Sequence, residues 1–311
     1  MAERINEGDI EFDVIGDVLE TLRFRGSIFF RSDLAAPWGM SLDKTDIPRF
    51  HIAMSGSCYV GSDSVAPVNM QHMEIVMIPS GSSHWIADQP GRKLVPSQQA
   101  GTACELGNPL FQQGEITQSL MCGLVNFDKA SKHPILDSLP QVLHFATLTK
   151  EDPIWLTVML IESEMQRNVG KCGIIVDRLT EVLFLQLLYR YVHKNQEVAG
   201  FLAALKDRRI HKALTLIHQE PEFNWTITTL GERIGMSPAT LVRHFQSSIG
   251  LAPMAYVLNW RMMKAYNLIK YSNANLETVA EQVGFSSART LNKAFQRQYA
   301  LTPTKLRSDS A

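Results

Sequence analysis

Thr240, Arg243 and Gln246 recur at steps of three residues, and Arg289, Asn292, Lys293 and Gln296 follow in a second set 49 or 50 residues on. Side chains of these types suit the edges of base pairs. Arg and Lys donate to guanine O6 and N7, Asn and Gln match adenine, and Thr meets a thymine methyl or a phosphate. Steps of three and four place each set on one face of a helix. A different chemistry is offered by His51, His84 and Cys122, two imidazoles and a thiol, a donor set that suits zinc. The same three also suit a hydrogen-bonded pocket or core, and the sequence leaves both readings open. Cys104 and Cys122 are candidates for redox-sensing thiols, although a lone buried cysteine is usually inert packing.

The elements that carry the two polar sets repeat each other. Ile234 to Val283, Gly235 to Gly284 and Ser237 to Ser286 are each 49 apart. Leu241 to Leu291, Arg243 to Lys293, Phe245 to Phe295 and Pro253 to Pro303 are each 50 apart, which places a one-residue slip in the turn between Ser237 and Leu241. Each copy reads as a helix, a glycine turn and a second helix, the helix-turn-helix pattern. In the first copy Thr229 and Glu232 form a capping box. Ser237 is an N-cap with Pro238 at the first helical position. Leu241 with Phe245, and Leu291 with Phe295, then face inward as i and i+4. Between the copies an unbroken run from Ala252 to Tyr271 spans roughly 30 Å as a helix, near the ~34 Å of one DNA turn. On it, Arg261, Lys264 and Lys270 are expected to neutralise phosphates or stay solvated. Two copies in tandem imply a reader of double-stranded DNA.

Charge follows the same division. Residues 205–311 hold 14 Lys and Arg against 7 Asp and Glu, while residues 1–204 hold 16 against 24. A basic third of this kind is the footprint of a phosphate-binding surface. No apolar run reaches the roughly 18–20 residues of a membrane helix, and the first dozen residues are too acidic and polar for a signal peptide. Cys58, Cys104, Cys122 and Cys172 form no CxxC pair, so a reducing cytoplasm is the expected location.

On these residues, the runs from Gly235 to Ile269 and from Asn275 to Arg307 closely resemble the DNA-binding domain of AraC/XylS-type transcription regulators, a likeness covering residues 207–307. The resemblance implies DNA contacts at Thr240 and Arg243 in the first recognition helix and at Arg289, Thr290, Asn292 and Lys293 in the second. Gln246 joins them by its outward position. The resemblance also implies structural roles for Leu241, Phe245, Gly284, Phe285, Leu291, Phe295 and Pro303, a homodimer, and RNA polymerase as a protein partner. Two residues depart from the pattern. Gly231 stands where alanine is usual, expected to weaken a short helix by about 1 kcal/mol. Ala300 stands where glycine is usual, expected to force a strained turn or a different helix end.

Short β-like runs fill the chain from Gly26 to Val125, separated by Gly, Pro, Ser and Asp as in a small β-barrel. Pro79 to His84 matches the PxGxxH cupin signature. Residues 10–145 resemble, less sharply, the cupin-like sensor half of one AraC-type subfamily. Metal cupins pair two histidines as HxH, whereas here Ala53 follows His51 at the second position, so a catalytic iron or manganese site is not expected. From Asp177 to Val192 the chain is apolar on nearly every side, as a helix covered by its own barrel on one side and by a second subunit on another. Leu183 and Leu187 are where a charge should break such a dimer, and His193 to Glu197 is the expected hinge. The reading is an α+β multidomain protein: a cupin-like β-barrel (1–150), a helical dimerisation segment (151–200) and an all-α double helix-turn-helix domain (205–308). Its function is sequence-specific, effector-sensing transcription regulation without membrane association or enzymatic activity. The effector class stays open between a small molecule, a metal and a redox signal, with zinc the favoured metal. The alternative is a metal-dependent cupin enzyme carrying an accessory DNA-binding domain.

Overall fold

Runs rich in β-branched and aromatic residues form the strands, and the apolar-periodic stretches form the helices. The computed structural model describes residues 13–106, 108–127, 133–146, 148–167, 173–194 and 199–308, apart from the side chains of residues 104 and 105. The Cys104 thiol, Cys172 and most of the expected hinge therefore lie outside the described residues. In chain order the elements are α1 (Val14–Leu22), β1 (Arg25–Leu34), β2 (Gly39–Leu42), β3 (Arg49–Ser55), β4 (Cys58–Ser62), β5 (Val65–Met70), β6 (Ile75–Ile78), β7 (His84–Ala87) and β8 (Val95–Pro96). Then come α2 (Ser97–Glu105), β9 (Gln118–Asn126), α3 (Pro134–Asp137), β10 (Leu143–Phe145), α4 (Pro153–Arg167), α5 (Ile174–Lys194) and α6 (Gly200–Ala204). The C-terminal set is α7 (Arg208–Gln219), α8 (Ile227–Ile234), α9 (Pro238–Ile249), α10 (Pro253–Tyr271), α11 (Leu276–Gln282), α12 (Ala288–Tyr299) and α13 (Pro303–Ser308). Among the described residues no helix is long and apolar enough to cross a membrane.

Two compact units emerge. A β unit comprises Phe24–Phe127 and Leu139–Val198, and a helical unit comprises Met1–Arg23, Asp128–Ser138 and Ala199–Ala311. In the β unit the strands form two five-stranded sheets, ordered β1-β9-β3-β6-β10 and β5-β4-β7-β2-β8. Leu34, Trp38, Met40, Val60, Val76, Ile86 and Leu120 belong to its buried core. The expected barrel is not found: among the described residues no ladder joins one sheet to the other, so the sheets do not close. The sequence at the edges gives the reason. The second sheet ends in β5, which contains Pro67, and in the two-residue β8, which ends in Pro96 and runs straight into α2. Proline has no N–H to extend a ladder and is confined to edge strands.

Helix α5 packs on β1 and α4 on α5. At Gly26 in β1 an added Cβ would lie 2.7 Å from the Thr180 methyl of α5, so glycine permits the close approach. Arg31 of β1 grips Glu162 of α4 through two bonds of 2.9 Å. Leu183 and Leu187 are fully buried within the chain, which corrects their expected place on a dimer face. The exposed apolar residues are instead Leu156, Met159 and Leu160 of α4, with Ile174, Ile175 and Val182 of α5.

In the helical unit α1 packs on α7 and α10, and α3 packs on α6. Tyr266, Ile269, Val279, Leu291 and Phe295 are among the buried residues under the second copy. Helix α8 starts earlier than the Thr229–Glu232 capping box implied. Thr226 is the N-cap, its hydroxyl accepting from the Thr229 amide while the Thr229 hydroxyl accepts from the Thr226 amide.

Candidate functional site

Helices α9 and α12 present the two polar sets. Leu241, Phe245, Leu291 and Phe295 are fully buried, which turns Arg243, Gln246, Arg289, Thr290, Lys293 and Gln296 to the exposed side. Thr240 and Asn292 are half-buried. Both threonines serve helix starts. Thr240 caps with Ser237 (hydroxyls 2.8 Å apart), and Thr290 forms a reciprocal box with Ser287. Asn292 turns its carbonyl oxygen inward, where it meets no hydrogen-bond partner among the described residues. Arg243, Arg289 and Lys293 make no ion pair there either, so their donors are available to a ligand.

Two cations assigned to phosphates or solvent are used otherwise. Arg261 donates to the carbonyls of Pro221 (2.7 Å), Phe223 (2.6 Å) and Gly284 (3.1 Å), tying the segment before the first copy to the turn of the second. Burial pushes its guanidinium below its ordinary range. Lys264 lies over the Trp260 ring and donates to Asp17 of α1 at 2.9 Å. Their partners are distant in sequence, so periodicity on α10 could not reveal them.

Asp17 also ends a buried relay. His218 Nδ1 lies 2.8 Å from Asp17 and its Nε2 2.8 Å from the Tyr256 hydroxyl, which lies 3.0 Å from His133 Nε2. His133 Nδ1 accepts from the Ile135 amide. Burial opposes charge on Asp17, but hydrogen bonds from His218 and Lys264 outweigh it and hold the carboxyl below its usual range. Burial also pushes His218 and His133 down, so both are neutral near pH 7. A carboxylate only accepts, so His218 Nδ1–H donates to Asp17, Tyr256 donates to His218, and His133 donates to Tyr256.

In the β unit the structure brings His51, His84 and Cys122 together. Cross-strand register sets His51 opposite Cys122, and Arg49 opposite Leu124. His51 Nδ1 is 2.8 Å from the Cys122 sulfur, His51 Nε2 is 2.8 Å from His84 Nε2, and His84 Nδ1 is 2.7 Å from the Ser82 carbonyl. That carbonyl can only accept, which orders the whole chain. His84 Nδ1–H donates to Ser82, His51 Nε2–H donates to His84, and the Cys122 S–H donates to His51. Burial agrees at each step: it drives His51 well down, lowers His84 to about 4 and raises the Cys122 thiol.

Zinc needs donors aimed at one point, with bonds of roughly 2.0–2.3 Å. Here His51 offers a different nitrogen to each partner, so the arrangement does not fit a three-donor zinc site. Among the described residues no group of three or more His, Cys, Asp or Glu is placed to hold a metal. Beside the chain lies a cavity of about 390 Å³ between the sheets and α2, lined by Phe30, Leu42, Arg49, His51 and Cys122 among others. Sequence reading missed Arg49; its signal is the position two before His51, on the same face of β3.

Two family profiles match the chain, one described as Cupin over residues 13–193 and one as Helix-turn-helix domain over residues 230–309. The HTH-type transcriptional regulator AlkR of Acinetobacter baylyi is 26% identical over 309 residues, covering 96% of this chain and 100% of that protein. The HTH-type transcriptional regulator MtrA of Neisseria gonorrhoeae is 27% identical over 308 residues, covering 96% and 98%. Among solved structures, a transcriptional regulator with an AraC-type DNA-binding domain from Chromobacterium violaceum is 22% identical with a TM-score of 0.33, covering 35% of this chain and 96% of that one.

Proposed function

Since this chain belongs to the AraC/XylS-type helix-turn-helix transcriptional regulators with an N-terminal cupin-like domain, we propose that it reads its operator with α9 and α12 in successive major grooves. It is a sequence-specific DNA-binding regulator with an effector-sensing domain, not an enzyme. The observation that carries the proposal is the pair of equivalent, exposed cations Arg243 and Lys293, without an ion-pair partner among the described residues, on helices with buried inner faces. Arg289, Gln246 and Asn292 add base-edge donors, and Thr240 and Thr290, already committed to helix caps, contact phosphates or methyl groups. Selection of bound fragments from the host's own DNA tests the reading. Affinity for the selected duplex should fall steeply as salt rises, because phosphate contacts release counterions. A salt-independent interaction would instead favour a protein ligand for the helical unit.

The protein works as a cytoplasmic homodimer that contacts RNA polymerase. The apolar stripe of Leu156, Met159 and Leu160 supports the dimer, since the i, i+3, i+4 spacing puts all three on one exposed face of α4. A Leu156→Lys/Leu160→Lys variant should sediment as a monomer with unchanged circular dichroism. A dimeric variant would remove α4 from the interface.

The effector occupies the cavity beside His51 and Cys122, as a small molecule. The protonated, buried thiol of Cys122 supports this over a redox signal, because the thiolate is the reactive form. Zinc is the competing occupant, and it requires His51 to turn and Cys122 to ionise. Elemental analysis of untagged protein separates them: about one equivalent of zinc per chain favours the metal.

A further inference from the structure

Among the described residues Arg49 is the only cationic side chain lining the cavity, and no Asp or Glu lines it. Its guanidinium is half-buried, and its one hydrogen bond among the described residues is from Nη1 to the Asp43 carbonyl at 2.8 Å. Nε and Nη2 therefore have no acceptor there. Asp43, the carboxylate acting on Arg49, lies outside the lining and accepts from Gln98 at 3.2 Å, while the ordered chain from Cys122 through His51 to His84 requires a thiol and two neutral imidazoles. The sheets supply the apolar part of the wall, Phe30, Met40, Leu42, Ile86 and Leu124, while α2 adds Ser97, Gln98 and Thr102. We propose that this cavity binds a monocarboxylate with a compact apolar body, its carboxylate on Arg49 and its body between the two sheets.

Three features select this class. A planar carboxylate satisfies two guanidinium N–H groups at once, in the geometry that makes such pairs strong. An uncharged apolar ligand would cover Arg49 and leave those donors without water or partner, which is unfavourable. A dianion such as a phosphate monoester would bring more charge than one arginine balances. The volume of about 390 Å³ lies toward the small end of ligand pockets, which run from about 300 to 1,000 Å³. The body is therefore short.

This inference rests on the effector-cavity reading above, and the test keeps the two apart. The full-length protein is titrated calorimetrically with octanoate and with 1-octanol, which share a chain and differ in charge. Octanoate should bind at least tenfold more tightly. Arg49→Met should abolish that preference, Arg49→Lys should keep part of it, and both variants should match the parent's circular dichroism. Equal affinity for acid and alcohol in the parent, or a preference that survives in Arg49→Met, overturns the proposal. Operator affinity with and without octanoate is the separate readout. Binding through Arg49 that leaves operator affinity unchanged retains the carboxylate site and overturns its role as the signal input.

Discussion

The two helix-turn-helix copies perform one task with different local chemistry. In both, a glycine holds the turn in the left-handed region, Gly235 at φ 71° and Gly284 at φ 77°. Both close that turn with an equivalent bond, Met236 N–H to Gly231 O at 2.9 Å and Phe285 N–H to Ala280 O at 2.8 Å. They part afterwards. The first recognition helix starts at Ser237 with Pro238, while the second starts at Ser287 with a reciprocal box through Thr290. These N-caps are 50 apart, so the slip falls before the cap rather than between Ser237 and Leu241. At the far end Gly250 takes φ 80°, while Ala300 must take φ 55°. The lesson is that the frame is duplicated and the helix ends are solved separately, one of them under strain.

The bonds of Arg261, which tie the segment before the first copy to the turn of the second, offer the largest effect. Arg261→Met leaves three carbonyls without their charged donor, and urea titration should show a loss of roughly 2–4 kcal/mol. Operator binding should weaken across the whole footprint, because α10, which lies between the copies, loses its bonds to the segment before the first copy and to the turn of the second. A footprint weakened over one half only would show that Arg261 serves a single copy.

Next comes the division of labour. Arg243→Ala and Lys293→Ala should each cost about 1–3 kcal/mol of operator affinity, in opposite halves of a footprint. Stability should stay within roughly 0.5 kcal/mol, as for exposed positions. If both variants bind like the parent, the outward faces of α9 and α12 are not the recognition surfaces.

The strained end is a smaller lever with a definite sign. Ala300→Gly should stabilise by about 1 kcal/mol in thermal or urea unfolding, and Gly250→Ala should destabilise by a similar amount. A neutral Ala300→Gly would mean that the second copy carries no strain there.

The smallest effect opposes helix propensity. Glycine to alanine within a helix normally gains about 1 kcal/mol. A Cβ on Gly231 would lie 2.6 Å from the Met236 carbonyl, although Ala280 is accommodated at the equivalent place. Gly231→Ala should therefore be neutral or destabilising by up to about 1 kcal/mol. A clear gain in melting temperature would show the two turns to be interchangeable.

Local features were legible and distant partnerships were not. The inward places of Leu241, Phe245, Leu291 and Phe295 follow from i, i+4 spacing, and all four are fully buried. Such periodicity requires no knowledge of the rest of the chain. The strained left-handed Ala300 was also readable, because only its own backbone is involved. Sheet closure depends on which edges meet, and Pro67 and Pro96 blunt edges that a list of strands does not reveal. From sequence Lys264 reads as a phosphate or solvent contact, because Asp17 stands 247 residues away. His51, His84 and Cys122 could be grouped from motif and resemblance. Their linear order, however, hangs on the Ser82 carbonyl, which no pattern of side chains records.

Helix α1 bears on how this protein is cut apart. The helical unit is assembled from three separate stretches of chain, and Asp17 and His133, from the first two, complete the hydrogen bonding of His218 and Tyr256. A gene fusion that severs the chain near residue 200 removes both and strips from α7 and α10 the faces that α1 covers. The output half is therefore not a cassette. Moving it into a chimera, or expressing it alone, calls for grafting α1 and the 133–138 segment with it, and swaps that ignore them should yield proteins that fold poorly before their DNA recognition can be judged.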